Sequence, residues 1–186
     1  QKRADDLVKR NFNADHPDQL WVADFTYIQT HSGWVYTAFI IDVFSRAIVG
    51  WKVSTRMNTD MVLDALEQAL HDRGMPKNVI HHSDRGVQYL SIRYTNRLEA
   101  ANLRASVGTT GDSYDNALAE TVNGLYKTEV IEYLKADWQG LADVQLATLN
   151  WVDWFNKERV HSALGYVSPF EFEAMYYDKI NPLGQV

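Results

Sequence analysis

Three acidic residues of this sequence are spaced so that they could hold divalent metal ions together. Asp24 lies inside an apolar, strand-like run, Asp84 directly follows another such run, and Glu120 lies on the polar side of a predicted helix. Carboxylate oxygens are the ligands that Mg²⁺ and Mn²⁺ prefer. Two such ions about 3.5 to 4 Å apart can activate an attacking water or 3′-hydroxyl and stabilise the leaving oxygen of a phosphodiester. The three acids therefore predict metal-dependent phosphoryl transfer.

Each of these acids also has an ordinary structural interpretation. An unpaired carboxylate is costly to bury, so Asp24 needs a cation or hydrogen-bond donors, and an arginine partner at a strand edge would also serve. Asp84 could simply begin a loop, although open α/β sheets place ligand-handling residues at the carboxyl ends of their strands. Glu120 could belong to a solvated helix face. The occurrence of all three acids together favours a metal site.

The predicted helix around Glu120 has two different sides. At about 100° per residue, its apolar residues fall on one side and its polar residues form a stripe on the other. This stripe consists of Asn116, Glu120, Asn123 and Lys127. The spacing favours contact of Asn116 and Asn123 with nucleic acid, or orientation of the glutamate by them.

Residues close to Asp84 are weaker candidates for a ligand site. Arg85, Gln88 and Tyr89 lie beside it and could contact a phosphate backbone. Loop residues of these types are usually just solvated, so this prediction depends on Asp84 being part of a site.

Three further titratable residues have both a structural and a functional interpretation. His81 and His82 could bind metal, but strand alternation points only one of them inward, which favours a structural or DNA-proximal role. Asp42 could be a fourth ligand, although its position favours the end of a strand and the start of a turn.

The composition limits the classes of protein to which the chain can belong. With 186 residues, 46% of them hydrophobic, it can bury one full core, which predicts a single domain. No run approaches the roughly 18 to 20 apolar residues of a membrane span, and the first residues lack the apolar segment of a signal peptide. The absence of cysteine excludes disulfides and thiolate metal sites, which suits a reducing compartment. We therefore expect a soluble cytoplasmic protein without a membrane partner.

The formal net charge of −6 argues against a simple nucleic-acid binder, because DNA affinity depends largely on neutralising phosphates with Lys and Arg. Bound divalent ions would cancel the charge of the three acids locally, and a separate basic domain could supply affinity. The acidity therefore lowers the expectation of DNA binding without excluding it. The chain begins with Gln1, so we expect a fragment of a longer protein.

Hydrophobic periodicity predicts a mixed α/β domain with helices on the faces of the sheet. Strands are expected at residues 20–27, 34–44 and 47–53, as an antiparallel meander, and at residues 79–82 and 103–107. Helices are expected at residues 58–74, 91–101, 115–132 and 141–155. Asn58 or Thr59 would cap the first helix, and Gly74 would end it.

Four stretches of the sequence together resemble the integrase catalytic core of bacterial insertion-sequence transposases of the OrfB type, which are related to retroviral integrases. The stretches are WVADFTY at 21–27, IDVFSR at 41–46, HSDRGVQY at 82–89 and GDSYDNALAE at 111–120. Residues 154–169 also resemble the tail of that group. The likeness covers about residues 17–175, which leaves 1–16 as an N-terminal extension and 176–186 as a C-terminal tail.

The resemblance implies an RNase H-like α/β fold, in which a five-stranded mixed sheet of three antiparallel and two parallel strands is flanked by helices. It implies that Asp24, Asp84 and Glu120 are the catalytic DDE triad and ligate two Mg²⁺ ions, with Mn²⁺ as a substitute. Lys127, seven positions after the glutamate, matches a basic residue assigned to DNA contact. An active enzyme is expected because no triad member is replaced.

The resemblance also implies the partners of such an enzyme. Transposon-end and target DNA would be the substrates, and synapsis of two ends implies a homodimer or a higher oligomer. Family members usually carry an upstream helix-turn-helix region, and this sequence is expected to start after it. That region, or a companion protein, would supply end recognition. The enzyme would work in the bacterial cytoplasm, associated with the nucleoid.

Three functional hypotheses follow. The favoured one is a transposase core that exposes a 3′-hydroxyl on donor DNA and joins it to another strand. A hydrolytic RNase H-like nuclease or resolvase would share the metal chemistry but stop after cleavage. A repurposed, non-catalytic DNA-binding module is the third hypothesis, and the intact triad argues against it.

Overall fold

A computed structural model describes residues 13–84, 87–107, 117–134 and 137–182 of the chain. Its first three strands form the expected antiparallel meander. They are β1 (Leu20–Thr30), β2 (Gly33–Asp42) and β3 (Ile48–Ser54). The turn between β1 and β2 requires a residue with positive φ, and Gly33 supplies it at 101°.

Two short parallel strands complete the sheet. They are β4 (Ile80–Ser83) and β5 (Arg104–Val107), and the strand order is β3-β2-β1-β4-β5. The expected five-stranded mixed sheet is therefore confirmed. β4 pairs with β1 only along residues 20–23. Within the described part of the chain, β1 therefore has no strand partner on that edge from Asp24 onward.

The helices lie before, between and after the parallel strands. They are α1 (Thr59–Asp72), α2 (Val87–Leu90), α3 (Ile92–Ala100), α4 (Ala117–Tyr126), α5 (Leu141–Lys157) and α6 (Pro169–Ile180). A π-helical segment, Lys127–Glu132, continues α4, and a short 3₁₀ turn spans Ser162–Leu164. The side chain of Asn58 accepts a hydrogen bond from the Met61 amide, which confirms the predicted cap of α1. Within the described residues, no helix has both the length and the apolar character needed to cross a membrane.

Two hydrophobic cores lie on opposite faces of the sheet because successive residues of β1 point to opposite sides. Trp21 and Ala23 pack on the face covered by α1 and α3. Val22 and Ile28 pack on the other face, against α4 and α5. Asp24 shares the alternation of Val22 and Ile28, so β1 directs its carboxylate towards α4.

Helix α6 was not among the predicted elements, although the sequence carries a signal for it. Ser168 caps the helix by accepting from the Glu171 amide at 3.3 Å, and Pro169 occupies its first turn. The helix continues past residue 175, which was predicted as the last residue before the C-terminal tail. The division of the chain at residues 16 and 175 stays a prediction.

Ion pairs and hydrogen bonds of one arginine connect α6 to the rest of the domain. Arg73, at the end of α1, donates to both carboxylate oxygens of Glu173 at 2.7 and 2.6 Å. The same guanidinium donates to Asp18 at 2.9 Å and lies 3.6 Å from the carboxylate of Asp42. Three carboxylates therefore share one arginine, and one of them, Glu173, links α6 to the end of α1.

Candidate active site

Asp24 lies at the point where β1 loses its parallel neighbour, and two donors fix its carboxylate. The Phe25 amide donates to Oδ1 at 2.8 Å, and the Asn123 side-chain amide donates to Oδ2 at 3.0 Å. Asn123 belongs to α4, so this second bond joins the strand to the helix that carries Glu120. The predicted need of Asp24 for hydrogen-bond donors is met in this way, and neither of these two donors is an arginine.

The pKa of Asp24 is raised from 3.8 to about 6. Burial of the carboxyl is the main cause, and the negative charges of Asp84 and Glu120 raise the pKa further. The hydrogen bonds from Phe25 and Asn123 act in the opposite direction. The three acids therefore share one electrostatic neighbourhood, although they are far apart in sequence.

Asp84 and Glu120 are more accessible than Asp24. Asp84 directly follows β4, which is the parallel neighbour of β1, and Glu120 lies in the first turn of α4. Both residues are exposed, whereas Asp24 is half-buried. The sheet edge and α4 thus present three carboxylates towards the same region from a strand, a strand end and a helix.

The chemistry of these donors fits a hard divalent cation, because such ions prefer carboxylate oxygens. Among the described residues, however, no three His, Cys, Asp or Glu side chains are already gathered closely enough to hold an ion. Asp24 is fixed by its two donors, so closing a metal site requires the exposed side chains of Asp84 and Glu120 to turn towards it. The three predicted ligands therefore face one region but are not gathered into a closed metal site.

The predicted DNA contacts differ in accessibility. Tyr89 is only 3% exposed, and its ring packs 6.3 Å from that of Phe25 and 5.4 Å from that of Tyr94. It supports the site from beneath instead of presenting a surface to a ligand. Gln88 is half-buried, and its side-chain amide donates to the carbonyl of Met57 at 3.4 Å.

Lys127 and Asn123 were expected on one polar stripe with Glu120, and the structure gives them different contacts. The ammonium of Lys127 lies 5.3 Å from the centre of the Tyr27 ring. The amide of Asn123 is used to hold Asp24. Two further predicted contacts, Arg85 and Asn116, lie outside the described residues.

Both His81 and His82 are buried, so the expectation that only one points inward is wrong. β4 lies between β1 and β5, and both of its faces are covered. A ring nitrogen of His81 lies 2.7 Å from the Tyr94 hydroxyl, and one of His82 lies 2.8 Å from the Ser106 hydroxyl. Burial lowers the pKa of His81 to about 4, which keeps this ring neutral at neutral pH. These contacts support the structural interpretation of both histidines.

Asp42 ends β2 and organises the following turn, as its position predicts. Its carboxylate accepts from the backbone amides of Phe44, Ser45 and Asp18 at 2.8, 3.1 and 2.7 Å. With these donors and Arg73 around it, Asp42 belongs to the network that holds α6, not to the acids around Asp24.

Comparison with known families places this arrangement. Residues 14–113 and residues 101–169 match two models that are both described as integrase core domain. Together the two matches run from before β1 to the start of α6. The chain belongs to the integrase core domain family.

Relatives of this integrase core domain are bacterial transposases. It is 58% identical over 177 residues to the transposase for insertion sequence element IS629 of Shigella sonnei, covering 95% of this chain and 59% of that protein. It is 53% identical over 180 residues to a putative transposase for IS986/IS6110 of Mycobacterium tuberculosis, covering 94% of this chain and 64% of that protein. The chain thus spans about three-fifths of the length of these curated relatives.

Solved structures of viral integrases share the fold of this integrase core domain. The HTLV-2 integrase catalytic core domain in complex with magnesium (dimeric form) matches with a TM-score of 0.67 at 18% identity, over 85% of this chain and 97% of that chain. A chain of the simian T-cell lymphotropic virus intasome in complex with a PP2A regulatory subunit matches with a TM-score of 0.74 at 16% identity, over 92% of this chain and 59% of that chain. The fold is therefore RNase H-like, as the resemblance implied.

Proposed function

We propose that this integrase core domain is the catalytic core of a DDE transposase. Water would attack a phosphodiester at a transposon end, and the departing 3′-oxygen would take up a proton. The resulting 3′-hydroxyl would then attack a target phosphodiester, forming one P–O bond as a second 3′-hydroxyl leaves. The observation that carries this proposal is the shared electrostatic neighbourhood of Asp24, Asp84 and Glu120 on an integrase core.

Asp24, Asp84 and Glu120 are proposed as the ligands of two Mg²⁺ ions, which Mn²⁺ could replace. The ions would supply activation of the attacking oxygen and stabilisation of the leaving one. The Phe25 amide and the Asn123 side chain hold the carboxylate of Asp24, and the exposed Asp84 and Glu120 would turn towards it from two other elements. This division leaves one fixed ligand and two adjustable ones.

DNA at transposon ends and targets is the proposed partner. Lys127 and Gln88 are described contact candidates, and Arg85 and Asn116 stay predictions from sequence. The proposed assembly is a homodimer or a higher oligomer in the bacterial cytoplasm, in association with the nucleoid. End recognition is assigned to an upstream helix-turn-helix region or a companion protein. The greater length of the transposase relatives supports a further region.

A strand-joining assay tests this function. A 5′-labelled duplex carrying the terminal sequence of the IS629 element would be incubated with a supercoiled plasmid and Mn²⁺. Label joined to the plasmid is expected with the native sequence and is expected to fall at least about 100-fold with Glu120→Gln, because positioned charge carries most of such catalysis.

The matched control is Asp153→Asn, which removes an exposed acid of α5 that pairs with Lys157 at 2.6 Å. This variant should join DNA at the native rate. Nicked plasmid without joined label, from the native protein with its upstream region present, would identify a hydrolytic nuclease instead. Unchanged activity of Glu120→Gln would contradict the proposed site.

A further inference from the structure

Two large aromatic side chains beside the candidate active site are exposed. Tyr27 is 57% exposed and Trp34 is 50% exposed. Their rings meet edge to face, with centroids 5.3 Å apart and planes at 87°. The pair is a diagonal cross-strand neighbour in the meander, because Tyr27 lies opposite Tyr36 and Trp34 opposite Gln29.

The position of this pair explains its exposure. Tyr27 continues the face of β1 on which Ala23 and Phe25 pack against the core of α1 and α3. Beyond Phe25, the residues on that face of β1 no longer pack against the core of α1 and α3. From Asp24 onward, the adjoining edge of β1 has no strand partner among the described residues. The aromatic pair therefore faces solvent at an open strand edge, on the strand that carries Asp24.

A cation accompanies the aromatic pair. Lys127 starts the π-helical segment after α4, on the other side of the sheet, and its ammonium reaches a point 5.3 Å from the centre of the Tyr27 ring. This contact is a cation–π interaction at an exposed site, worth about 0.5 to 1 kcal/mol. The three residues Tyr27, Trp34 and Lys127, called the aromatic platform below, thus combine flat ring surfaces with a positive charge.

The surface of α4 between Glu120 and Lys127 carries no side chain at Gly124, which leaves open space there. Gly124 lies one turn after Glu120 and three residues before Lys127, on the same side of the helix. A Cβ added to Gly124 would have no heavy atom within 4 Å, so packing within the protein does not require glycine there. Glycine inside a helix costs about 1 kcal/mol relative to alanine. Neither the packing nor the stability of the fold therefore explains the glycine at this position.

The distances suit one strand of nucleic acid. Tyr27 is three residues after Asp24, or about 10 Å along β1, and Gln29, opposite Trp34, is five residues after it, or about 17 Å. Stacked nucleotides of one DNA strand are spaced by about 3.4 Å. Because Asp24 and Tyr27 point to opposite faces of β1, a DNA strand held at Asp24 would pass round the edge of β1 that has no strand partner among the described residues, over a length of about three to five stacked nucleotides.

We propose that the aromatic platform binds an unpaired nucleobase three to five nucleotides from the scissile phosphate. The base stacks on the Tyr27–Trp34 pair, and Lys127 contacts an adjoining phosphate. This inference rests on the proposed function for the identity of the reacting strand. Stacking on aromatic side chains is independent of base identity, so the platform would hold a base of the DNA end in its unpaired state without recognising the sequence.

Binding of a fluorescein-labelled oligothymidylate of about 20 nucleotides, followed by anisotropy at about 50 mM salt, tests the platform without catalysis. One base–aromatic stack contributes about 1 to 3 kcal/mol. Trp34→Leu is therefore expected to raise Kd about 5- to 150-fold, whereas Trp34→Phe should stay within about threefold of the native protein. Gly124→Ala should also weaken binding, although it raises helix propensity and leaves the melting temperature unchanged or higher.

Two exposed aromatic residues away from the platform serve as matched controls. Trp154→Leu and Tyr133→Leu remove side chains that are 41% and 79% exposed. They should bind the oligonucleotide as the native protein does. Equal Kd values for Trp34→Leu and the controls, or no measurable binding by the native chain, would overturn the proposal. Thermal melts of all variants show whether any loss reflects unfolding.

The position of the stacked base is tested in the joining assay with single abasic sites placed one to six nucleotides from the reacting 3′-hydroxyl. The native protein should be slowed most by abasic sites at positions three to five, and Trp34→Leu should be insensitive to them. A uniform penalty along the strand would overturn the position. Loss of joining with intact oligonucleotide binding would count against the proposed function and leave the platform standing.

Discussion

Asn123 connects the strand that carries Asp24 to the helix that carries Glu120. Its amide donates to Asp24 Oδ2 at 3.0 Å, and reversing the amide would bring two oxygens together, so its orientation is fixed. The bond limits the rotation of the one acid that is partly buried. In the proposed transposase core, Asn123 would thus be a positioning residue that acts through Asp24.

Replacing Asn123 by alanine should weaken the metal site rather than the fold. Loss of a hydrogen bond that orients a metal ligand typically costs about 10- to 100-fold in metal affinity or activity. We expect Asn123→Ala to raise the Mn²⁺ concentration for half-maximal joining by about this factor, while oligonucleotide affinity in the absence of metal stays native. Asn150→Ala, on the exposed side of α5, is the control. A variant with a native Mn²⁺ requirement would show that the bond is incidental.

At the level of residues, the sequence predicted which acids would come together but not their partners. The proximity of the three acids could be predicted because Asp24 interrupts an apolar strand, Asp84 directly follows one, and Glu120 lies on the polar side of a helix. The bond from Asn123 to Asp24 could not, because it depends on how closely α4 approaches β1. Burial of Tyr89 was also missed, since its aromatic neighbours Phe25 and Tyr94 come from other elements. The exposed Trp34 carried no distinguishing local signal.

Among the elements, α6 depends on the charge network around Arg73 for its attachment. Glu173 is buried and is paired with this arginine on both oxygens. Asp42 is fully buried, and burial raises its pKa from 3.8 to about 6. Removing the arginine would leave these carboxylates without their cation in a region that water reaches poorly.

Arg73→Ala should therefore lower the free energy of unfolding at pH 7.5 by about 3 to 5 kcal/mol, measured by urea denaturation. Since the pKa of Asp42 is raised, the stability from this group is complete below about 3.8 and is lost as the pH rises through about 6. The deficit of the variant should accordingly shrink as the pH falls below 6. Arg93→Ala removes an exposed pair with Asp60 and should change stability by less than about 1 kcal/mol. An equal deficit at pH 5 and 7.5 would contradict this account.

Most elements followed from local patterns, and the exceptions have physical reasons. The strands of the meander and helices α1, α3 and α5 showed clear periodicity or caps. The predicted helix at residues 115–132 is α4 followed by the π-helical segment, a change of hydrogen bonding that periodicity does not reveal. Helix α6 shows weak amphipathicity, because charged contacts as well as apolar ones fix its buried side.

For the whole molecule, the acidic composition would repel the proposed DNA substrate, but the positions of individual charges reduce this conflict. The formal net charge is −6, yet bound cations would neutralise the three acids, and Lys127 adds a positive charge on the helical segment that continues α4 after Glu120. Divalent ions would thus have two roles. They would activate the reacting oxygens, and they would offset the negative charge of the acids close to the DNA.

Mg²⁺ should therefore raise the melting temperature of the native chain. At about ten times Kd, ligand binding adds about 1.4 kcal/mol, which corresponds to about 3 to 6 °C for a domain of this size. The Asp24→Asn/Asp84→Asn double variant should show no such rise, and an Asp60→Asn/Asp153→Asn variant should keep it. Equal shifts in all three proteins would place the bound ions elsewhere.

The edge of β1 that has no strand partner among the described residues has a practical consequence for handling this protein. Such an edge exposes backbone donors and acceptors that can recruit a strand from another copy, and charged side chains on the edge discourage this. Asp24 is the acid at the start of that edge. The Asp24→Asn/Asp84→Asn variant would then be more inclined to self-associate than the native chain, so its solubility should be checked before any loss of metal binding or DNA joining is attributed to the acids.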